Sequence, residues 1–225
     1  MSGRVAPPGA GPLAPPERPR MRGWLHAGAA PLSLAAGIVL VALAATPAAR
    51  LAAAVYAITA LTLFATSAVY HLGRFSGRTH LLLRRLDHAN IALLIAGTTT
   101  PFALLALEAG QGAVLLAIVW GGAVAGALLR VAWPGAPRAL AAALYVALGW
   151  SAAYVIPGLF AGAGTAAAVL VIVGGGLYSL GGLVYALRRP DPLPRVFGYH
   201  EVFHGLTVCA FAVQCVAVSL VVLGA

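Results

Sequence analysis

Three short polar stretches stand out in a chain that is otherwise strongly apolar. Ser67 and His71, four residues apart, end the second apolar run, Asp87 and His88 open the third, and His200 and His204, again four residues apart, open the last. Residues at i and i+4 share one face of an α-helix, so each pair can direct its side chains to one spot. Three imidazoles around an open position are typical of a catalytic zinc site, because neutral nitrogens suit the ion and the open position holds a water.

Each of these side chains receives a role from its chemistry. We predict that His71, His200 and His204 bind zinc. Asp87 is expected beside the bound water, as a general base or as an orienting group, and Ser67 is expected to hydrogen-bond a ligand, the water or a developing oxyanion. Snorkelling or helix capping is the alternative for any single residue. Two matching pairs at one membrane depth favour a site over that alternative.

The last histidine pair also fits a second zinc motif. The segment from His200 to His204 reads His-Glu-x-x-His, which matches the helical zinc-protease motif with Glu201 as the base. We rank this interpretation lower, because intramembrane proteases of that type take an acid from another helix as their third ligand, whereas this chain offers a histidine paired with Ser67. We interpret His26 and His80 as solvated and His88 as helix-start structure.

Composition indicates whether the helices that carry these residues lie in water or in a membrane. Apolar residues make up 61% of the 225 residues and charged residues 8%, against about 25% charged in soluble domains. The formal net charge is +9, but the 14 basic residues are all arginines in short clusters between apolar runs, not a continuous basic face. The chain is therefore expected in a membrane, and a nucleic-acid partner is not expected.

Apolar runs predict an all-α, seven-transmembrane helix bundle. About 20 apolar residues are needed to cross a bilayer as a helix. Candidate spans fall near 30–46, 51–72, 88–107, 112–132, 138–156, 165–187 and 201–223. The fifth is interrupted by Trp150 and Pro157. Residues 1–29, rich in proline and arginine, are predicted to form a disordered cytoplasmic tail, and residues 30–225 a single membrane domain.

The arginines predict the orientation of the bundle. They cluster before span one, between spans two and three, around the turn between four and five, and between six and seven: Arg4, Arg18, Arg20, Arg22; Arg74, Arg78, Arg84, Arg85; Arg130, Arg138; Arg188, Arg189, Arg195. Only Arg50 falls in a loop of the opposite parity, so the positive-inside rule predicts a cytoplasmic N-terminus. All the polar stretches would then lie on the cytoplasmic side. The glycines at 121, 122, 126, 174–176, 181 and 182 are expected to allow close helix packing.

The motifs together resemble the hemolysin III family, the bacterial branch of the progestin and adipoQ receptor proteins. The matching segments are Arg18-Pro-Arg-Met-Arg-Gly-Trp-Leu-His26, Ser67-x3-His71, Leu86-Asp-His-Ala-Asn-Ile91, Gly97-Thr-Thr-Thr-Pro-Phe102 and Gly198-Tyr-His-Glu-Val-Phe-His204. They follow the family's order over most of the chain. One departure is Leu61, where the eukaryotic receptors carry a glutamate.

The resemblance implies a seven-helix fold with a cytoplasm-facing zinc held by three histidines, which map onto His71, His200 and His204. It also implies that Asp87 and Ser67 lie beside the metal. The broader superfamily includes alkaline ceramidases, so the implied activity is zinc-dependent hydrolysis of a lipid amide or ester.

Other functions remain open at this point. The chain could be a receptor-like or cytolytic membrane protein in which zinc is structural, and such a site should be closed by four protein ligands, with Asp87 as a candidate. Few charges line the spans, which argues against a wide aqueous pore. The expected location is the inner (plasma) membrane, with multiple spans. Membrane lipids are the expected partners, and the oligomeric state is open.

Overall fold

Long α-helices make up most of the described protein. The computed structural model describes residues 18–133 and 135–225. The helices are α1 (Trp24–Leu43), α2 (Pro47–Leu72), α3 (Gly77–Leu105), α4 (Ala109–Ala132), α5 (Arg138–Gly149), α6 (Ile156–Gly162), α7 (Gly164–Leu187) and α8 (Tyr199–Leu223), and a 3₁₀ stretch, Trp150–Val155, joins α5 to α6.

Six of the described helices are long and apolar enough to cross a membrane, namely α1 to α4, α7 and α8. The α5–α6 pair brings the number to seven if it counts as one span, and it is bent by 52°. Pro157 lies in the first turn of α6, just after the bend, where a missing N–H group is tolerated because the first N–H groups of a helix have no intrahelical partner. The predicted all-α bundle is confirmed, with its interruption in the fifth span. The cytoplasmic N-terminus stays a prediction.

The first helix begins earlier than the apolar run suggests. α1 starts at Trp24, six residues before the predicted span at 30. Just before it, the Arg20 and Met21 N–H groups donate to the carbonyls of Arg195 and Val196 at 3.1 and 3.0 Å. The segment before α1 is thus bonded to the connection between α7 and α8. Residues 1–17 of the predicted tail lie outside the described residues.

α2 and α8 contribute much of the bundle core. Buried residues such as Tyr56, Phe64, Phe211 and Val218 pack in one cluster together with many alanines. Sequential helices lie side by side, with α2 between α1 and α3, and α7 against α8. In lipid, helix association depends on close packing of small residues and not on exclusion of water, which fits this alanine-rich core.

Glycines allow close contact at several helix crossings, although not at all the predicted ones. A Cβ added at Gly174 would lie 2.6 Å from the Gln214 side chain, so that side chain would have to move to accept a larger residue where α7 meets α8. At Gly121 and Gly176 no atom lies within 4 Å of the added Cβ, and the prediction is wrong there. A glycine outside the predicted set, Gly112, makes a far closer approach to a backbone.

Gly112 of α4 provides a test of the packing. A Cβ at this position would lie 2.1 Å from the Ala103 carbonyl oxygen, so α3 and α4 would have to separate. We expect Gly112→Ala to destabilise the protein by about 1–3 kcal/mol, as overpacking does elsewhere. The measurement is thermal unfolding of detergent-purified protein by circular dichroism.

Gly110 is the matched control in the same helix. An added Cβ there meets nothing within 4 Å, so Gly110→Ala should be neutral or should stabilise by up to about 1 kcal/mol through helix propensity. Equal melting temperatures for the two variants would contradict the close α3–α4 contact.

Candidate metal centre

The structure brings His71, His200 and His204 together. Each offers one ring nitrogen such that all three atoms lie within 4.8 Å of one another. The Nε2 atoms of His71 and His200 are 3.3 Å apart. The His204 ring centroid lies 5.1 Å from that of His71 and 4.5 Å from that of His200. Three nitrogen donors, from two helices that are far apart in the sequence, therefore converge on one point.

Helix ends create this convergence. α2 ends one residue after His71, and α8 begins one residue before His200, so the last turn of one helix faces the first turn of the other. The α-helical i,i+4 spacing then places His200 and His204 on the same face. Gly23, just before α1, packs closely against His71. Its φ is +85°, and an added Cβ would lie 2.8 Å from the His71 Cβ, so a larger residue does not fit there.

Asp87 and Ser67 flank the three histidines. The Asp87 Oδ2 atom is 3.8 Å from the Nε2 atom of His71. Ser67 is 1% exposed, and its hydroxyl lies beside the Asp87 carboxyl without forming a hydrogen bond of normal geometry. All five predicted site residues thus lie in one region of the described structure.

Asp87 does not open a helix, contrary to the interpretation of its apolar run. α3 begins at Gly77, ten residues earlier. The apolar run marks only the part of the helix suited to lipid, while the helix itself continues through the arginine-rich turns that carry Arg78, Arg84 and Arg85. Asp87 therefore lies in the interior of a regular helix.

Glu201 is engaged in structural contacts. Its Oε2 atom accepts a 2.8 Å hydrogen bond from the Gly198 N–H at the start of α8, and its Oε1 atom pairs with the Arg22 guanidinium. The side chain is 1% exposed. A carboxylate at N3 that bonds the N-cap N–H stabilises the first turn of a helix. Both oxygens of Glu201 thus fix the start of α8.

His26 is a fourth histidine at the site, and its assignment as solvated was wrong. It is 3% exposed, and its ring stacks on that of His204 with centroids 3.7 Å apart and planes inclined by 8°. Neither ring nitrogen has a hydrogen-bond partner. Helical spacing could have located it, because His26 continues the buried face of α1 formed by Ala29, Ser33 and Gly37.

His88 and His80 have different surroundings. His88 Nδ1 lies 2.8 Å from Nη2 of Arg130, and its backbone carbonyl accepts a 2.9 Å hydrogen bond from the Tyr145 hydroxyl. His88 therefore connects α3 to α4 and α5 and is not helix-start structure. His80 is half-buried, with its ring 5.3 Å from that of Tyr70.

A cavity of about 170 Å³ opens beside the histidines. Asp87, His200 and His204 line one part of it, and apolar side chains such as Leu94 and Phe102 line the rest. Asp87 and Phe102 are fifteen residues apart on α3, which is about 22 Å along a helix. The cavity therefore joins a polar, histidine-rich end to a long apolar interior.

Comparison with known proteins identifies the family. The family model described as Haemolysin-III related matches residues 16–215. The chain is 32% identical over 167 residues to a Hemolysin-3 of Bacillus cereus, covering 73% of this chain and 76% of that protein. It is 29% identical over 154 residues to a Hemolysin-3 homolog of Bacillus subtilis (strain 168), covering 68% and 69%.

The family match includes every residue of the histidine cluster, from His26 to His204. The apolar helices and the match agree on a multi-pass membrane protein. The chain belongs to the Haemolysin-III related family.

Proposed function

We propose that this membrane protein binds zinc through His71, His200 and His204 and hydrolyses an amide or ester bond of a lipid. The observation that carries the proposal is the convergence of three imidazole nitrogens beside a carboxylate, at the polar end of an apolar cavity. The bacterial origin of the two relatives supports the inner, plasma membrane as its location.

The donor set fits zinc in type, and the separation of one pair of its nitrogens fits zinc as well. Zinc–nitrogen bonds of about 2.0–2.1 Å in a tetrahedral site put neighbouring ligand nitrogens about 3.3–3.4 Å apart. The 3.3 Å between the Nε2 atoms of His71 and His200 matches this separation. Without a cation, two ring nitrogens at this distance are compatible only if one carries a proton directed at the other.

Zinc held by His71, His200 and His204 would supply Lewis acidity and would lower the pKa of a water. Asp87 would take a proton from the attacking water and return it to the leaving amine or alcohol. Ser67, with a buried and unpaired hydroxyl, can donate a hydrogen bond to the oxygen on which negative charge develops. His26 holds the His204 ring by stacking and so restricts its rotation.

The cavity favours a lipid as the substrate. Its interior carries apolar side chains from several helices and extends from Asp87 to the level of Phe102. A pocket that is mostly apolar with a few convergent polar groups suits a ligand with one polar end and one hydrocarbon end. A lipid whose acyl chain is buried in this cavity would have the amide or ester bond beside its headgroup close to the histidine cluster.

The protease alternative has less support. Its base would be Glu201, but both oxygens of that carboxylate already accept hydrogen bonds or pair with Arg22. Among the described residues that line the cavity, Glu201 is missing. A base must reach the reacting water, and Asp87 meets that requirement better than Glu201.

Structural zinc is the other alternative, and it needs a closed site. Four protein ligands are expected in that case. Within the part of the chain that the structure describes, the grouped ligand atoms come from three histidines only. An open fourth position supports catalysis.

Zinc content tests the metal site directly. Purified wild type should contain about one zinc per chain, and His71→Ala, His200→Ala and His204→Ala should each lose most of it, because each variant removes one of three ligands. The measurement is elemental analysis by mass spectrometry. His80→Ala, at a half-buried histidine outside the cluster, is the control and should keep its zinc. Undiminished zinc in the three variants would refute the site.

Asp87→Asn tests the chemistry separately from metal binding. The variant should keep zinc, while its hydrolysis rate should fall about 10²–10⁴-fold because the amide cannot accept a proton. The assay measures fatty acid released from a panel of ceramides, N-acyl amino acids and phospholipids. An unchanged rate in Asp87→Asn, or no hydrolysis of any lipid by zinc-loaded wild type, would contradict the proposal.

Glu201→Gln distinguishes a structural role from a catalytic one. The variant loses the charge that faces Arg22, so we expect a loss of stability of about 1–3 kcal/mol. Its amide oxygen can still accept the hydrogen bond from the Gly198 N–H, so the start of α8 and hydrolysis by the folded protein should be unchanged. Glu108→Gln alters an exposed carboxylate and should leave stability unchanged. Abolished hydrolysis in a folded, zinc-loaded Glu201→Gln variant would instead favour the protease mechanism.

A further inference from the structure

Arg130 is a buried cation on the wall of the cavity. It lies in the last turn of α4 and is 5% exposed. Together with Asp87, His88 and Tyr145 it lines the polar part of the same cavity as the histidine cluster. A guanidinium is protonated at every physiological pH, so this wall carries a permanent positive charge.

Most hydrogen-bonding capacity of this guanidinium is unused. The Nη2 atom lies 2.8 Å from Nδ1 of His88. The Nε and Nη1 atoms are buried and have no hydrogen-bond partner. Among the described residues, no carboxylate forms an ion pair with Arg130.

A structural role does not account for this arrangement. An arginine at a helix C-terminus gains from the helix dipole, but that gain does not satisfy buried N–H groups. A snorkelling arginine would extend its charged end into water, whereas Arg130 is buried. A buried, unpaired charge is strongly unfavourable, and ionisable residues inside membrane proteins mark binding sites by default.

The guanidinium is held in a fixed orientation. His88 contacts Nη2 through Nδ1, and the Tyr145 hydroxyl bonds the carbonyl of the same residue, so α3, α4 and α5 meet at this point. Arg130 and Asp87 both line this cavity, so the two free donors belong to the same cavity as the proposed base. A planar guanidinium with two unused donors suits the two oxygens of a carboxylate or phosphate.

We propose that the cavity binds an amphiphile with an anionic headgroup, a carboxylate or a phosphate, held by Arg130. The hydrocarbon chain occupies the apolar part of the cavity. The consequence for the substrate rests on the proposed hydrolysis. The lipid that is cleaved has an acyl chain joined through an amide or ester bond to an acidic headgroup. Neutral lipids are then poorer substrates than acidic ones.

The test compares ligands that differ only in the headgroup. Full-length protein in phosphatidylcholine nanodiscs, freed of metal with a chelator, is titrated at pH 8 with oleate, oleyl phosphate and oleyl alcohol in competition with a radiolabelled fatty acid. Metal removal matters because a carboxylate could otherwise bind zinc. We expect wild type to bind at least one of the two anions about tenfold or more tightly than the alcohol, as a charge-assisted bidentate contact should give.

Variants assign the preference to Arg130. Arg130→Met keeps the length of the side chain and should lose the preference for anions while binding oleyl alcohol as before. Arg130→Lys keeps the charge without the planar pair of donors and should show an intermediate preference. Arg78→Met removes an exposed arginine from α3 and should keep the full preference.

Several results overturn the inference. They are equal binding of all three probes by metal-free wild type, a preference that arises only after zinc is added, and a preference retained in Arg130→Met. Oleate and oleyl phosphate compete separately, so their order identifies the anion. If the preference is found but zinc-loaded protein hydrolyses no lipid, the anion site stands and the proposed hydrolysis fails.

Discussion

The contact between Glu201 and Arg22 determines where the last helix begins, and the histidine cluster depends on that position. Glu201 bonds the Gly198 N–H and pairs with Arg22 ahead of α1, so α8 starts at Tyr199 with a defined rotation. A shift of one residue in this start would turn His200 and His204 by about 100° away from His71. An ion pair that fixes the start of the helix thus sets the direction of the two histidines in its first turns.

Much of the fold and part of the site follow from the sequence because two periodicities are strong. Apolar runs of membrane length locate the helices, and Trp150 with Pro157 locates the break in the fifth span. The i,i+4 spacing of Ser67 with His71 identifies a helix face without any tertiary information. Helix boundaries were less predictable, since hydropathy measures suitability for lipid, whereas hydrogen bonding and capping decide where α3 starts.

The residues that sequence reasoning missed are those whose roles come from tertiary contacts. His26 looks like a loop residue until its helix is known to begin at Trp24, and its stacking on His204 joins the first and last helices. Glu201 looked like a base because its motif fits, but its partner is 179 residues away along the chain. Arg130 looked like a topology signal, since a count of arginines per loop cannot distinguish a solvated one from a buried one.

The backbone bonds from Arg20 and Met21 to the connection between α7 and α8 have a practical bearing on how the chain can be shortened. Trimming through Met21 would remove both bonds, and trimming through Arg22 would also leave the Glu201 carboxylate buried without its cation. The region matched by the family model begins at residue 16, so the matched sequence includes Arg20 and Met21 as well as the helices.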